Sequence, residues 1–375
     1  MQTTFRGRRL LTADEEIEFP VVTVEDGMIL QVEAGPPNDS TETLTASFFD
    51  IHVHGACSFD FMSAEAHQIE TVGRFLARHG VGHYLPTTVT GNIDATLSAL
   101  ERLAQAIEVR PESSQHTAVP VGIHLEGPFV APIKRGVHPQ ASILEPDVCL
   151  FERFQQAARG HIRLMTLAPE LPHALELIRH ATRQGVRVSM GHSNATEAGT
   201  LAAIDAGATS ATHAFNAMRS LNHREPGILG VVLDDDRVYA EAICDGVHVH
   251  PAMIRMWLRM KGPNKAILVT DGMSATGMPD GKYTLGDFEV QVSNGICLAG
   301  GTLAGSVLTM DVAVANLQRF ASTSLGTAVR LASANPARML GLEHLTALTP
   351  GSPANFNVYD ASGQRSGIIL NGRLL

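Results

Sequence analysis

From Phe48 onward the chain repeats one pattern: a short apolar run followed by a longer stretch whose apolar positions recur at helical spacing. The runs lie at 48–52, 83–87, 121–126, 162–166, 186–190, 209–213, 238–243 and 266–270, and the intervening stretches at 64–79, 95–107, 174–184, 196–206 and 251–260 predict covering helices. Short strands alternating with helices predict a parallel sheet closed into a (β/α)8 barrel. Ahead of it, residues 1–47 hold short candidate strands such as 21–24, broken at Asp26-Gly27 and Gly35-Pro36-Pro37. Behind it, 282–285 and 288–292 read as a hairpin, 307–320 and 327–340 return to helix, and 351–372 is β again. The expected fold class is therefore α/β: a TIM-like catalytic barrel over 48–344 with a small β-sandwich domain built from both chain ends. That domain takes 1–47 and 345–375, with the hairpin 281–302 as a candidate addition.

Length agrees, since 375 residues at about 150 per domain suit two or three domains, or one large barrel with an appendage. With 44% apolar and 18% charged residues, disordered, collagen-like and coiled-coil chains are excluded. The 28 Lys and Arg against 38 Asp and Glu leave a net charge of -10, which argues against non-specific nucleic-acid or anionic-membrane binding. One Trp and 5% aromatic residues offer little for stacking bases. The segment before Thr12-Ala13-Asp14 is too polar for a signal peptide, and no window reaches the roughly 18 apolar residues of a membrane span. Cys57, Cys149, Cys244 and Cys297 are scattered, without a Cys-x-x-Cys pair. A reducing, cytoplasmic setting is expected, with neither a disulfide framework nor a thiolate zinc site.

Histidine changes the picture, because 17 of them stand in an acidic chain and several fall where barrel strands end. Reactive groups of such barrels sit at the carboxyl ends of the strands. The first run ends in His52-Val53-His54, and residues two apart share a strand face, so both imidazoles can approach one ion. The third ends in His124-Leu125-Glu126, the fifth in Gly191-His192, the sixth in Thr212-His213 and the eighth in Thr270-Asp271. Singly, each reads as readily as a satisfied core or loop residue. Jointly, His52, His54, Glu126, His192, His213 and Asp271 form a site for one or two divalent metals, with Zn, Fe, Mn or Co all compatible with the donors. Such a site suits hydrolysis, since the ion lowers the pKa of bound water and polarises a carbonyl. Asp271 is the candidate shuttle, taking a proton from that water and delivering one to the leaving amine.

This five-point pattern resembles the amidohydrolase superfamily. More specific are the words His124-Leu125-Glu126-Gly127-Pro128-Phe129, Gly191-His192-Ser193-Asn194, Thr212-His213-Ala214-Phe215-Asn216-Ala217-Met218, Arg224-Glu225-Pro226-Gly227, Asp245-Gly246-Val247-His248, Val269-Thr270-Asp271-Gly272 and Leu303-Ala304-Gly305-Ser306. These resemble the N-acetylglucosamine-6-phosphate deacetylase family. The resemblance implies Glu126, His192 and His213 on the principal metal and Asp271 as acid/base and ligand. It pairs His52 and His54 with a second ion that Glu126 bridges. It also implies that Val137, His138, Asn216, Ala217, His248, Leu303 and Ala304 face an amino-sugar phosphate. Arg224 would reach the phosphate across a homodimer interface, where a guanidinium fork suits the dianion. The implied reaction converts N-acetyl-D-glucosamine 6-phosphate to D-glucosamine 6-phosphate and acetate, in amino-sugar catabolism or recycling. An N-acetylgalactosamine-6-phosphate deacetylase and a catalytically silent sugar-phosphate sensor are the alternatives. A cyclic-amide hydrolase or N-acyl-D-amino-acid deacetylase is more distant, because the Glu126 and Arg224 words do not suit it.

Overall fold

The computed structural model describes residues 2–109 and 116–375. Each of the apolar runs is a strand: Phe48–Val53, Val81–Thr88, Ile123–Glu126, Ile162–Leu167, Arg187–Met190, Ser210–Ala211, Tyr239–Ile243 and Ala266–Val269, referred to below as the first to eighth barrel strands. They pair in parallel and in sequence order, with registers such as Tyr84 opposite Asp50 and Glu126 opposite Thr166. Side chains are buried along almost their whole length, as expected of a parallel sheet covered by helices outside and filled by side chains within. The ring closes through little backbone. Val53 bridges Gly272, and the His54 and Gly55 N–H groups donate to the Gly272 carbonyl at 2.7 and 3.1 Å.

The covering helices are Ala66–Arg78, Ile93–Glu108, Val148–Ala157, Ala174–Arg183, Glu197–Ala206, Gly227–Asp234 and Pro251–Lys265, followed by Met310–Ala321, Leu325–Ala332 and Ala334–Leu340. Two of these depart from the expectation. Val148–Ala157 buries only Phe151 and Phe154 and starts where Asp147 accepts from the Leu150 N–H at 2.8 Å. Gly227–Asp234 is apolar all round, so it carries no helical stripe to read. Its carboxyl end is held by the buried Lys261, whose ammonium donates to the Val232 and Asp235 carbonyls, both at 2.8 Å. The single helix expected over 327–340 is divided at Ser333, which leaves helical geometry at φ −137°, ψ −75°.

Among the described residues, the two chain ends share one six-stranded sheet, in the order Arg373–Leu374, Arg365–Leu370, Phe356–Tyr359, Thr43–Ala46, Arg9–Leu11, Glu16–Glu18. Thr43–Ala46 joins them, running parallel to Arg9–Leu11 and antiparallel to Phe356–Tyr359. A second sheet, formed by Gln2–Arg6, Pro20–Glu25 and Met28–Ala34, supplies Val22, Val24 and Ile29 to the core that Leu10, Leu44, Phe356 and Ile369 fill from the first. This is a small sandwich. Residues 281–303 form a separate four-stranded sheet with its own core of Leu285, Val290, Val292 and Cys297, packed with Val89 and Met273 at the barrel mouth. Among the described residues, no helix is long and apolar enough to cross a membrane.

Sandwich and barrel meet at Gly80. Its carbonyl accepts from the Phe48 N–H at 2.8 Å and from the buried Asn357 amide at 3.0 Å. Its φ is +84°, and a Cβ there would lie 2.7 Å from both Asn357 Oδ1 and Phe48 Cε2. Adding the left-handed penalty to the overpacking, Gly80→Ala is expected to lower stability by about 2–4 kcal/mol in urea unfolding. A wild-type unfolding midpoint would show that this junction is not rigid.

Candidate active site

The first barrel strand runs inward with His52 and ends at His54, while the third ends with Glu126. Three further groups leave their strands by a sharp left-handed turn: His192 at φ 49°, His213 at φ 30° and Asp271 at φ 53°. For non-glycine residues this conformation costs on the order of 1–3 kcal/mol each, and such strain gathers at functional sites. Here it swings one side chain from each strand end into the mouth.

There the six residues form two buried groups whose ligand-type atoms lie within 4.8 Å of one another: His52, His54 and Asp271, and Glu126, His192 and His213. In the first, His54 Nε2 stands 3.2 Å from both His52 Nε2 and Asp271 Oδ1. In the second, Glu126 Oε1 stands 3.2 Å from His213 Nε2 and 3.3 Å from His192 Nε2. Glu126 also touches the first group, at 3.5 Å from His52 Nε2 and 3.3 Å from His54 Nε2.

The donor set fits cations. His54 Nδ1 lies 3.2 Å from the Thr87 carbonyl, and His192 Nδ1 lies 3.1 Å from the Lys134 carbonyl. A carbonyl only accepts, so each Nδ1 carries a proton and each Nε2 is the nitrogen turned to the site, where a cation displacing its own proton would find a lone pair. Lone pairs and carboxylate oxygens converging in a buried pocket require positive charge between them. The titration directions agree. Burial disfavours protonation of His52 and His54, yet Glu126 and Asp271 outweigh it, holding His52 well above the usual imidazole range and His54 at about 9. Burial likewise opposes ionisation of Glu126 and Asp271, and the surrounding imidazoles hold both carboxyls below their usual range.

A cleft of about 410 Å³ opens above the two groups. It brings together Val137, His138, Asn216, Ala217, His248 and Leu303. His138 is buried, with Nδ1 2.6 Å from Thr90 Oγ1 and Nε2 3.7 Å from Glu126 Oε2; burial and the nearby His192 push its pKa well down, so it is neutral. His248 Nδ1 lies 2.6 Å from Asp245 Oδ2, and that carboxylate also accepts the Val247 and His248 N–H groups, both at 2.8 Å. Burial pulls the His248 pKa down, but Asp245 more than reverses it, so the ring favours the cation.

Two expected residues stand apart. Ala304 is fully buried and its N–H is committed to the Cys297 carbonyl at 3.1 Å, so it does not line the cleft. Arg224 is exposed outside the cleft of its own chain, in a shallow depression with Lys134, Asn194 and Arg219. The cleft is also lined by residues outside the expected site set: Ile133, Lys134 and Phe215 from barrel loops, and Leu285 and Thr302 from the sheet over the mouth. Asp245 sits in the same word as His248, three residues earlier, and a carboxylate at that spacing in a strand-end loop was the available signal.

Comparison with known proteins identifies the family. The amidohydrolase family model matches residues 43–375. An N-acetylgalactosamine-6-phosphate deacetylase of Escherichia coli is 38% identical, with 100% of this chain and 99% of that protein aligned. An N-acetylglucosamine-6-phosphate deacetylase of Bacillus subtilis is 36% identical over 97% of this chain and 95% of its own. Among solved structures, an aspartate-to-alanine mutant of the N-acetyl-D-glucosamine-6-phosphate deacetylase of Mycobacterium smegmatis, in complex with N-acetyl-D-glucosamine-6-phosphate, superposes with a TM-score of 0.94 at 32% identity, covering 100% of this chain and 99% of that one. A match that starts in the strand joining the two chain ends and runs to the last residue, with relatives aligned along nearly their whole length, means that this chain belongs to the amidohydrolase family.

Proposed function

We propose that the chain hydrolyses the acetamide of an N-acetylhexosamine 6-phosphate, with N-acetyl-D-glucosamine 6-phosphate as substrate, releasing acetate and D-glucosamine 6-phosphate. The observation that carries this reading is Asp271, a carboxylate at the floor of a sugar-sized cleft, beside two sets of converging imidazole nitrogens. Whole-length relatives that deacetylate N-acetylated sugar 6-phosphates support the substrate class. The galacto epimer is the second reading, favoured by the 38% identity of the E. coli relative.

Amidohydrolases are metal-dependent, and the two groups of donors could each hold an ion. We assign one to Glu126, His192 and His213 and a second to His52, His54 and Asp271, with Glu126 between them. Zinc and iron fit imidazole and carboxylate donors, and manganese or cobalt would be accepted by the same set. A divalent ion held there supplies Lewis acidity to a water molecule and to the acyl oxygen. Ionised Asp271 accepts the proton of the attacking water as its oxygen bonds to the acyl carbon. The same carboxyl then donates that proton to the nitrogen as the C–N bond breaks. Neutral His138, held by Thr90, stands where it can orient the acetamide. His248, which Asp245 biases toward the cation, favours an anionic ligand. Arg224 serves the phosphate of a neighbouring subunit's substrate in a homodimer; its exposure beside Lys134 and Arg219, with Ile133 75% and Leu221 45% exposed nearby, supports a partner at this face. Four free cysteines accord with a cytoplasmic setting.

Acetate release from the two 6-phosphorylated epimers, with added divalent metal, tests the activity directly. Binding of both sugars without turnover would favour a sensor instead. Asp271→Asn is expected to reduce kcat by about 10²- to 10⁴-fold, the range for loss of a general acid/base; near-wild-type turnover would remove Asp271 from that role. Arg224→Ala should raise KM for the phosphorylated sugar by about 10- to 100-fold, as for loss of a charged hydrogen bond, and leave the unphosphorylated sugar unaffected. An unchanged preference for phosphate would sink the assignment. His248 is protonated below its raised pKa, so KM should rise as pH increases through that value. In Asp245→Asn the rise should move to lower pH, because the carboxylate that favours the imidazolium is gone. Superimposable KM profiles of the two proteins against pH would count against this pair.

A further inference from the structure

The seventh barrel strand, Tyr239–Ile243, is Tyr-Ala-Glu-Ala-Ile, and its Glu241 is fully buried inside the barrel. No role assigned so far uses it. A carboxylate in such a place is strongly disfavoured unless donors meet both oxygens. Oε1 has one: the Ser189 hydroxyl lies 3.5 Å away, at the end of a buried series of contacts running through Thr212 and Thr166 to His124. Among the described residues, Oε2 has no hydrogen-bond partner.

Two buried imidazole nitrogens of the site, His52 Nδ1 and His213 Nδ1, are likewise without a partner among the described residues, and the first of them lies opposite Glu241. His52 Nδ1 faces Glu241 Oε2 at 3.7 Å, beyond hydrogen-bond distance. The opposite nitrogen of that ring, Nε2, faces His54, Glu126 and Asp271 at 3.2 to 3.5 Å. An imidazole whose Nε2 serves as a metal ligand carries its proton on Nδ1 and needs an acceptor for it. His54 has the Thr87 carbonyl and His192 the Lys134 carbonyl. For His52 the acceptor facing Nδ1 is a carboxylate.

We propose that Glu241 is a positioning residue: its Oε2 accepts the His52 Nδ1 proton and thereby fixes the tautomer and ring orientation with which His52 holds the second ion. The inference rests on the proposed metal role of His52. A carboxylate is a stronger acceptor than a carbonyl, so Glu241 makes His52 the more basic nitrogen donor of the pair it forms with His54.

The test uses the full chain as wild type, His52→Ala, Glu241→Gln and Glu241→Met, each stripped with a chelator and reloaded with zinc. Zinc content and affinity are read by elemental analysis and chelator competition, and melting of the metal-free proteins reports folding. Wild type should bind two ions and His52→Ala one. Glu241→Met should bind the second ion about 10- to 100-fold more weakly, the usual effect of removing a group that orients a ligand, while the ion at Glu126, His192 and His213 keeps its affinity. Glu241→Gln, which retains an acceptor oxygen, should fall between. Two ions bound with wild-type affinity in both Glu241 variants would overturn the assignment, and if Glu241→Met does not fold, the isosteric Glu241→Gln decides alone. Two ions in His52→Ala would instead overturn the reading on which it rests.

Discussion

The mouth of this barrel is organised around the burial of one carboxylate. Glu126 is only 3% exposed, and removing a carboxylate from water costs several kcal/mol unless positive charge or donors replace the lost hydration. Its two oxygens are met by imidazole nitrogens from the ends of the first, fifth and sixth strands and from the segment after the third: Oε1 by His52, His192 and His213, Oε2 by His54 and His138. The four imidazole ligand candidates are thus arranged with respect to Glu126, which touches both groups of donors. The strain at His192 and His213 is intelligible in the same terms, because only a left-handed turn at the strand end brings those rings back over the third strand.

Charge alone would leave the rings free to rotate, and the loops supply the remaining constraint. The Lys134 carbonyl that tethers His192 belongs to the segment after the third strand, while the Thr87 carbonyl that tethers His54 belongs to the second strand. These two imidazoles are therefore oriented by the backbone of a different element from the one that carries them. A shift of the 132–138 segment would move the His192 tether together with Val137 and His138 on the cleft wall. Ligand geometry and the substrate wall are mechanically linked.

Much of this was legible in the sequence, for a reason particular to barrels. Strand ends and side-chain alternation are both encoded locally, so His-x-His at 52 and 54, the pair at 124 and 126 and single polar residues after three later strands identify one face and one end. What the sequence does not encode locally is tertiary. Gly227–Asp234 has no polar face and so no period, because it is packed against neighbouring elements on every side. Ala304 sits in a word that reads as substrate contact, but the sheet over the mouth takes its N–H for Cys297. Glu241 is visible as one acidic residue in an apolar strand, yet only the fold shows that the histidine nitrogen it faces comes from 189 residues earlier in the chain.

The same fold places the reactive centre at the barrel's weakest join. The first and eighth strands meet through one backbone bridge, Val53 with Gly272, rather than through a regular ladder. Side chains reinforce that seam from below, where the Thr270 hydroxyl donates to buried Asp50 Oδ2 at 2.6 Å. Above it, the Asp271 N–H donates to the His52 carbonyl at 2.9 Å, so the acid/base candidate and a metal candidate share a backbone hydrogen bond. Burial pushes the Asp50 carboxyl up to about 6, although hydrogen bonds from Thr270 and His52 oppose it. Any cation held by His52, His54 and Asp271 therefore spans the same join, with two of its ligands on the first strand and one just past the eighth. Closing the barrel and assembling the site are therefore one structural event.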